Sequence, residues 1–128
     1  MDCLIDENQD NHALFEQKEA SLKWRNIGTG FMGIADMFAK LNMIYGSDES
    51  IEFLSKLTRH IFRESLFNSV KLAKSKGSFP GYSPKVWDSE FIHNAFSKEE
   101  IESLKNSNCL RNSTLLSIAP TGLKVGSV

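Results

Sequence analysis

The stretch between Ser47 and Gly77 constrains this chain most, because both of its ends and one full face are written in the residues. Ser47 is a good N-cap, since its hydroxyl can accept from an otherwise unpaired backbone N–H. Asp48, Glu49 and Glu52 follow, where negative charge suits the positive end of a helix dipole. Lys71, Lys74 and Lys76 stand in the last turns, where positive charge suits the other end. Gly77 supplies the stop. Between these ends Ile51, Leu54, Ile61, Leu66, Val70 and Ala73 form a long stripe, with Phe53, Leu57 and Phe62 beside it. The spacing predicts a helix over 48–76, and any fold must bury its stripe.

Other elements follow from weaker signals. Phe31, Ile34, Phe38 and Leu41 recur at three- and four-residue steps, which predicts a helix from about Ile27 to Asn42. The short link at Tyr45-Gly46 would then reverse the chain, packing Phe31, Ile34 and Phe38 against Leu54 and Ile61. Residues 1–20 are polar and acidic and read as a frayed helix or arm. Residues 77–96 contain Pro80, Gly81 and Pro84, which make a continuous helix untenable. They read as a structured loop pinned by its aromatics. Ser97-Lys98-Glu99-Glu100 is a capping box opening a helix to about Asn106. Leu115, Leu116, Ile118 and Ala119 form a short apolar run, a candidate buried strand that Pro120-Thr121-Gly122 ends.

At 128 residues the chain suits one domain or part of one. Its net charge of −1 gives no bulk case for nucleic acid or an anionic membrane. Charge is nevertheless uneven. Residues 1–20 carry Asp2, Asp6, Glu7, Asp10, Glu16 and Glu19 against Lys18. Residues 56–85 carry seven bases against Glu64. Solvated helix faces account for this; two patches that dock on each other, or on further parts of a larger protein, are the sharper alternative. Cys3 and Cys109 cannot form a disulfide framework. No apolar run has membrane-spanning length, and no secretory leader is visible, so a cytoplasmic, reduced setting is the expectation.

Several motifs invite a chemical reading. Gly28-Thr29-Gly30-Phe31-Met32-Gly33 fits the dinucleotide pattern G-x-G-x-x-G. That motif requires a preceding buried strand and a ribose-binding acid at the end of another. Ser21 to Ile27 does not read as such a strand, and Asp48 and Glu49 open a helix. Small residues that allow close approach to a neighbour explain the glycines better. Cys109 has no histidine nearby to activate it and reads as a packed cysteine. His12, His60 and His93 are scattered, without metal-ligand spacing. Ser113 and Ser117 have no visible base. Ala119-Pro120-Thr121-Gly122 remains: a tight turn of small residues offers backbone N–H groups and a hydroxyl to a phosphate.

Taken in order, three blocks resemble one family. WRNIGTGFMGIADMFAKLNMIYGSDES resembles the ribonucleotide reductase pattern Arg-x-Ile-Gly-x-Gly-x-Met-Gly-x-Ala-Asp followed by Tyr-Gly-Ser. AKSKGSFPGYSPKVW resembles its Ala-x-x-Lys-Gly-x-Phe-Pro region, and LRNSTLLSIAPTG its Leu-Arg-Asn-Ser-x-Leu-x-x-Ile-Ala-Pro-Thr-Gly-Thr signature. The last block leans toward the adenosylcobalamin-dependent branch of the catalytic subunit. The resemblance implies a large α/β barrel, a ribonucleotide substrate reduced through a cysteine radical, and adenosylcobalamin in the full-length family. It implies that Pro120, Thr121 and Gly122 bind the substrate phosphates.

The chain also departs from that family. The Asn-x-Cys-x-Glu motif that carries the radical cysteine and the acid/base glutamate is absent, as is the terminal cysteine pair. After Gly122 the sequence reads Leu123-Lys124-Val125-Gly126-Ser127-Val128 in place of the family's hydroxyl donors. The expectation is therefore an internal fragment of a reductase, mainly α, with one short terminal strand. Residues 1–122 would be the helical portion of the barrel domain and 123–128 a divergent tail. No catalytic or metal-ligating residue is assigned, and no cofactor is expected for this chain alone. The alternative is a non-catalytic helical interaction protein, or a piece of a split reductase whose partners are the remaining segments.

Overall fold

A computed structural model describes residues 1–118 of the chain. Among the described residues six α-helices occur in order: α1 (Asp2–Glu7), α2 (Phe15–Trp24), α3 (Ile34–Lys40), α4 (Asp48–Lys76), α5 (Glu90–Ala95) and α6 (Lys98–Ser107), with a 3-10 turn at Pro84–Asp88 between α4 and α5. No helix among the described residues is long and apolar enough to cross a membrane.

The longest helix has the ends that its residues demand. The Ser50 N–H donates to the Ser47 hydroxyl at 3.3 Å, and the Gly77 N–H closes the far end on the Ala73 carbonyl at 2.8 Å. Gly77 has φ 83°, a conformation that costs glycine little. At 29 residues α4 is about 43 Å long. Its buried apolar residues lie in the C-terminal half: Leu66, Val70 and Ala73 are buried, whereas Ile51 is exposed; Ser50 is buried in the first turn. The core gathers there, where Leu66 and Val70 meet Phe79, Trp87, Ile92, Phe96, Ile101, Leu104, Leu110 and Leu115.

Residues 77–96 meet the expectation of a pinned loop, with more helix than expected. Pro84 sits in the first turn of the 3-10 segment, where its missing N–H costs nothing. Phe79 and Trp87 are buried and tie the loop down. The capping box at α6 is complete: the Glu100 N–H donates to the Ser97 hydroxyl and the Ser97 N–H to the Glu100 carboxylate. Arg63 on α4 pairs with that same carboxylate and donates to the Ala95 carbonyl at 3.2 Å, fixing α6 across α4.

The helix expected over 27–42 is corrected. Only Ile34–Lys40 is helical, and Gly33 precedes it in a left-handed conformation at φ 76°. Ile27 and Thr29, before Gly33, give their backbone groups to a partner far along the chain. The Ile27 N–H donates to the Thr114 carbonyl at 3.2 Å, the Thr29 N–H to Leu115 at 2.9 Å, and the Ser117 N–H returns to Thr29 at 3.2 Å. These bonds make one isolated parallel bridge, Thr29 to Leu116. Tertiary pairing has overridden a local helical pattern. Packing between α3 and α4 reduces to Phe38, whose ring stands edge-on to Phe53 at 6.4 Å and to Tyr45 at 6.0 Å; Phe31 and Leu41 are exposed.

The terminal strand is likewise corrected to this single bridge, since no longer strand forms among the described residues. A parallel pair needs a long crossover, and residues 31–112 supply it with helices. The glycines make the approach possible. A Cβ on Gly30 would stand 2.6 Å from the Ser117 carbonyl oxygen, and one on Gly28 would stand 2.7 Å from the Ser117 Cβ. They permit close approach, as expected, but in an extended segment and not on a helix. Gly30→Ala is expected to lower stability by about 1–3 kcal/mol through this overlap. Denaturant unfolding measures it, and an unchanged midpoint would deny the tight pairing.

Candidate functional site

The three residues singled out for phosphate binding, Pro120, Thr121 and Gly122, lie outside the described residues, as does Ala119. What is described is the segment leading toward them. Residues 113–117 run beside 24–29, held by the backbone bonds above and by the Ser113 N–H donating to the Trp24 carbonyl at 3.1 Å. Ser113 and Thr114 also bond Asn26 through their hydroxyls. These serine and threonine hydroxyls help to fix the pairing.

A polar cluster stands at the start of this pair. Its centre is Asp2, the one buried residue of α1. Asp2 Oδ1 accepts from Arg25 Nη2 at 2.7 Å and Nε at 3.0 Å, from Asn112 Nδ2 at 3.1 Å and from Arg111 Nε at 3.2 Å. Its Oδ2 lies 3.1 Å from Arg111 Nε and 3.6 Å from Lys76 Nζ. Asp6 adds a second carboxylate, accepting from Arg25 Nη1 at 2.8 Å. Burial by itself would raise the Asp2 pKa, but the bonds from Arg25, Arg111 and Asn112 outweigh it and hold the group at about 2. Asp6 is also lowered, chiefly by its bond from Arg25.

The local sequence builds this cluster. Arg25 caps α2 in a left-handed conformation, φ 46°, which turns its side chain toward α1. Ser69 on α4 takes the Asn112 backbone N–H on its hydroxyl at 3.2 Å and donates to Asn112 Oδ1 at 3.2 Å. Arg111 Nη1 donates to the carbonyls of Lys76 and Gly77 at 3.1 and 3.2 Å, where α4 ends. No buried side-chain nitrogen or oxygen lacks a partner among the described residues. Asp2 and Asn112 also line an open groove of about 460 Å³, walled by Ile27, Thr29 and Leu115 on one side and by His60, Ile61 and Leu72 of α4 on the other.

The cluster joins the carboxylates of Asp2 and Asp6 to Arg25, Arg111 and Lys76. A carboxylate held near pKa 2 by several donors is a poor general base at neutral pH. Cys109 is half-buried, with its Sγ 3.8 Å from the Val70 carbonyl and no activating cation against it. Cys3 is exposed. His60 lines the groove, apart from His12 and His93 in sequence, and no group of three His, Cys, Asp or Glu that could hold a metal occurs among the described residues. Of the two charged regions noted in the sequence, Asp2 and Lys76 do meet, whereas Asp10 pairs with Lys18 inside the acidic arm.

Comparison with known proteins gives this geometry a family. Residues 1–123 match the family model described as the ribonucleotide reductase barrel domain. The chain belongs to the ribonucleotide reductase family. It is 34% identical over 122 residues to the vitamin B12-dependent ribonucleoside-diphosphate reductase of Thermoplasma acidophilum, which covers 95% of this chain and 14% of that protein. The corresponding vitamin B12-dependent enzyme of Mycobacterium tuberculosis is 33% identical over 107 residues, 84% of this chain and 13% of that protein. The ribonucleoside-diphosphate reductase subunit alpha of Chlamydia pneumoniae is 30% identical over 127 residues, 83% of this chain and 12% of that protein. The chain thus spans about one-seventh or less of these reductases. No solved structure matches it.

Adenosylcobalamin, which the resemblance implies for the full-length family, is larger than the two best-formed grooves among the described residues. The two grooves hold about 460 and 280 Å³. Pockets of ~300–1,000 Å³ take drug-sized ligands, and the corrin with its adenosyl group is larger than these.

Proposed function

We propose that this chain is the helical portion of a reductase barrel domain, residues 1–122, with 123–128 as a divergent tail. Its role in that reading is to carry the turn Pro120-Thr121-Gly122 that binds the phosphates of a ribonucleoside diphosphate. In the complete enzyme such a substrate is reduced to the deoxyribonucleotide through a thiyl radical, and the similarity to vitamin B12-dependent relatives favours the adenosylcobalamin-dependent branch. The observation that supports the reading is the parallel bridge between Thr29 and Leu116. Ligands of parallel α/β folds bind beyond the carboxyl ends of the strands, and the turn follows the carboxyl end of this pair. The setting proposed is cytoplasmic.

By itself the chain is expected to form no deoxynucleotide from ribonucleoside diphosphates with adenosylcobalamin and a dithiol. The sequence lacks both the Asn-x-Cys-x-Glu motif and the reducing cysteine pair. Calorimetry is expected to show diphosphate binding no tighter than about 1 mM, near −4 kcal/mol, because a phosphate turn gains affinity from surrounding strands that preorganise it. Turnover dependent on Cys109 would overturn the inactive reading. Tight binding unaffected by Thr121→Val would overturn the assignment of the turn.

A second reading, a helical interaction protein or one piece of a split reductase, draws support from the apolar side chains of Met32, Leu41, Ile44, Tyr45 and Ile51, all at least half exposed. Sedimentation of the chain alone, and mixed with the remaining segments of a related reductase, distinguishes the two.

A further inference from the structure

The Asp2 cluster has the construction of a ligand site whose ligand is part of the same chain. Two of its donors, Arg111 and Asn112, are anchored without α1. Arg111 is held by the carbonyls of Lys76 and Gly77, and Asn112 by Ser69 and by the Arg25 carbonyl, which accepts from its Nδ2 at 3.1 Å. Arg25 is aimed by a left-handed backbone that a non-glycine residue adopts only when its surroundings hold it. Three cations, Arg25, Arg111 and Lys76, face one buried carboxylate. Such preorganisation is what a binding site requires, because little freedom is lost when the ligand arrives.

The ligand, by contrast, is loosely attached. On α1 only Asp2 is buried; Met1, Cys3 and Leu4 are exposed. The helix has 6 residues, too few to be stable alone. Apart from the half-buried Ile5, its docking rests on polar contacts: the side chains of Asp2 and Asp6, and the Asp2 carbonyl, which accepts from Arg25 Nη2 at 3.1 Å. The site also has a route from solvent, since Asp2 and Asn112 line the open groove.

We propose that Arg25, Arg111, Asn112 and Lys76 form a carboxylate-binding site, which Asp2 fills as a tethered ligand and which a free small carboxylate can enter when the Asp2 side chain is gone. A planar carboxylate is the chemistry selected, because Asp2 presents its two oxygens to the guanidinium edges of Arg25 and Arg111. The proposal rests on the cluster alone and does not depend on the reductase reading.

The test uses the full chain with Asp2→Ala and Asp2→Asn, melted in sodium formate or acetate, in sodium phosphate, and in sodium chloride of equal ionic strength. Asp2→Ala is expected to melt lower than the parent in chloride and to recover most of that loss, saturably, in formate or acetate. Asp2→Asn, whose amide fills the same space, is expected to gain nothing beyond chloride, and the parent likewise. If Asp2→Ala is unfolded in chloride, recovery of helix by far-UV circular dichroism on adding formate is the same readout. Absence of recovery overturns the proposal. An equal gain in all three chains shows a bulk salt effect and also overturns it. Recovery in phosphate but not in formate or acetate overturns the choice of a carboxylate.

Discussion

Trp87→Ala is expected to lower the unfolding free energy by about 3–5 kcal/mol, one of the two largest effects foreseen for a single substitution in this chain. Trp87 has no exposed surface and stands in the core cluster of the described residues, with Leu66 and Val70 of α4 and Ile101 and Leu104 of α6. Removing the indole empties a space that the 3-10 turn shares with α4, α5 and α6. A hydrogen bond is lost as well. Trp87 Nε1 donates to the Tyr82 hydroxyl at 2.8 Å, which in turn donates to Asn108 Oδ1 at 3.3 Å, where α6 ends. Typical domains hold only about 5–15 kcal/mol in total, so the variant would be near the edge of folding. Urea unfolding measures the change. Trp87→Phe, which refills most of the volume, is expected to recover the larger share. A loss below that of an exposed residue such as Phe91→Ala would show that the core is not centred here.

What the residues reveal by themselves divides along a physical line. Features decided within one turn of chain were legible. The Ser47 cap, the Gly77 stop and the Ser97–Glu100 capping box are local bargains between a side chain and the next few backbone groups, and each forms as read. Features decided by distant pairing were not. Ile27 to Gly33 has a helical apolar spacing, yet the backbone groups of Ile27 and Thr29 find better partners at Thr114 to Ser117, more than eighty residues along the chain. The glycines that make this possible suggested close approach but gave no hint of which element would approach. The short helix α5 was hidden because Pro84 and Gly81 dominate the reading of a loop that becomes helical only after them.

The site was legible in the same uneven way. Family resemblance pointed to Pro120, Thr121 and Gly122, which lie outside the described residues. It did not point to Asp2, Arg25, Arg111 and Asn112. Arg25 and the Arg111-Asn112 pair do stand inside the quoted blocks WRNIG and LRNS, directly before the two segments that pair. Two arginines at matching places in two paired segments were the available signal. The arm reading of residues 1–20 concealed their partner, because an acidic stretch of low hydrophobicity gives no local reason for one of its carboxylates to be buried. Only the convergence of four elements supplies that reason.

Arg25→Ala is expected to cost about 3–5 kcal/mol at neutral pH, because it leaves the buried Asp2 carboxylate short of its two shortest bonds. Surface pairs such as Lys56 with Glu52 cost far less when broken, since water replaces the partner. The same substitution should change the acid limb of the stability curve. Asp2 has its folded pKa lowered from 3.8 to about 2. Its contribution is therefore fully present above the unfolded value of 3.8 and is lost as pH falls through about 2. A shift of this size corresponds to about 2 kcal/mol for a side chain as buried as this one. Glu100, lowered to about 2 chiefly by Arg63 and by the Ser97 N–H, adds a second acid-sensitive contact of the same sign. Arg25→Ala removes the principal donor to Asp2 and leaves Glu100 untouched. Urea midpoints followed from neutral pH down to about pH 2 should thus fall steeply for the parent below the ordinary carboxylate range. The variant should start lower and fall less, because its Asp2 titrates nearer to the unfolded value. Parallel curves for the two chains would mean that Arg25 does not set the ionisation of Asp2, and that Arg111 and Asn112 hold the carboxylate without it.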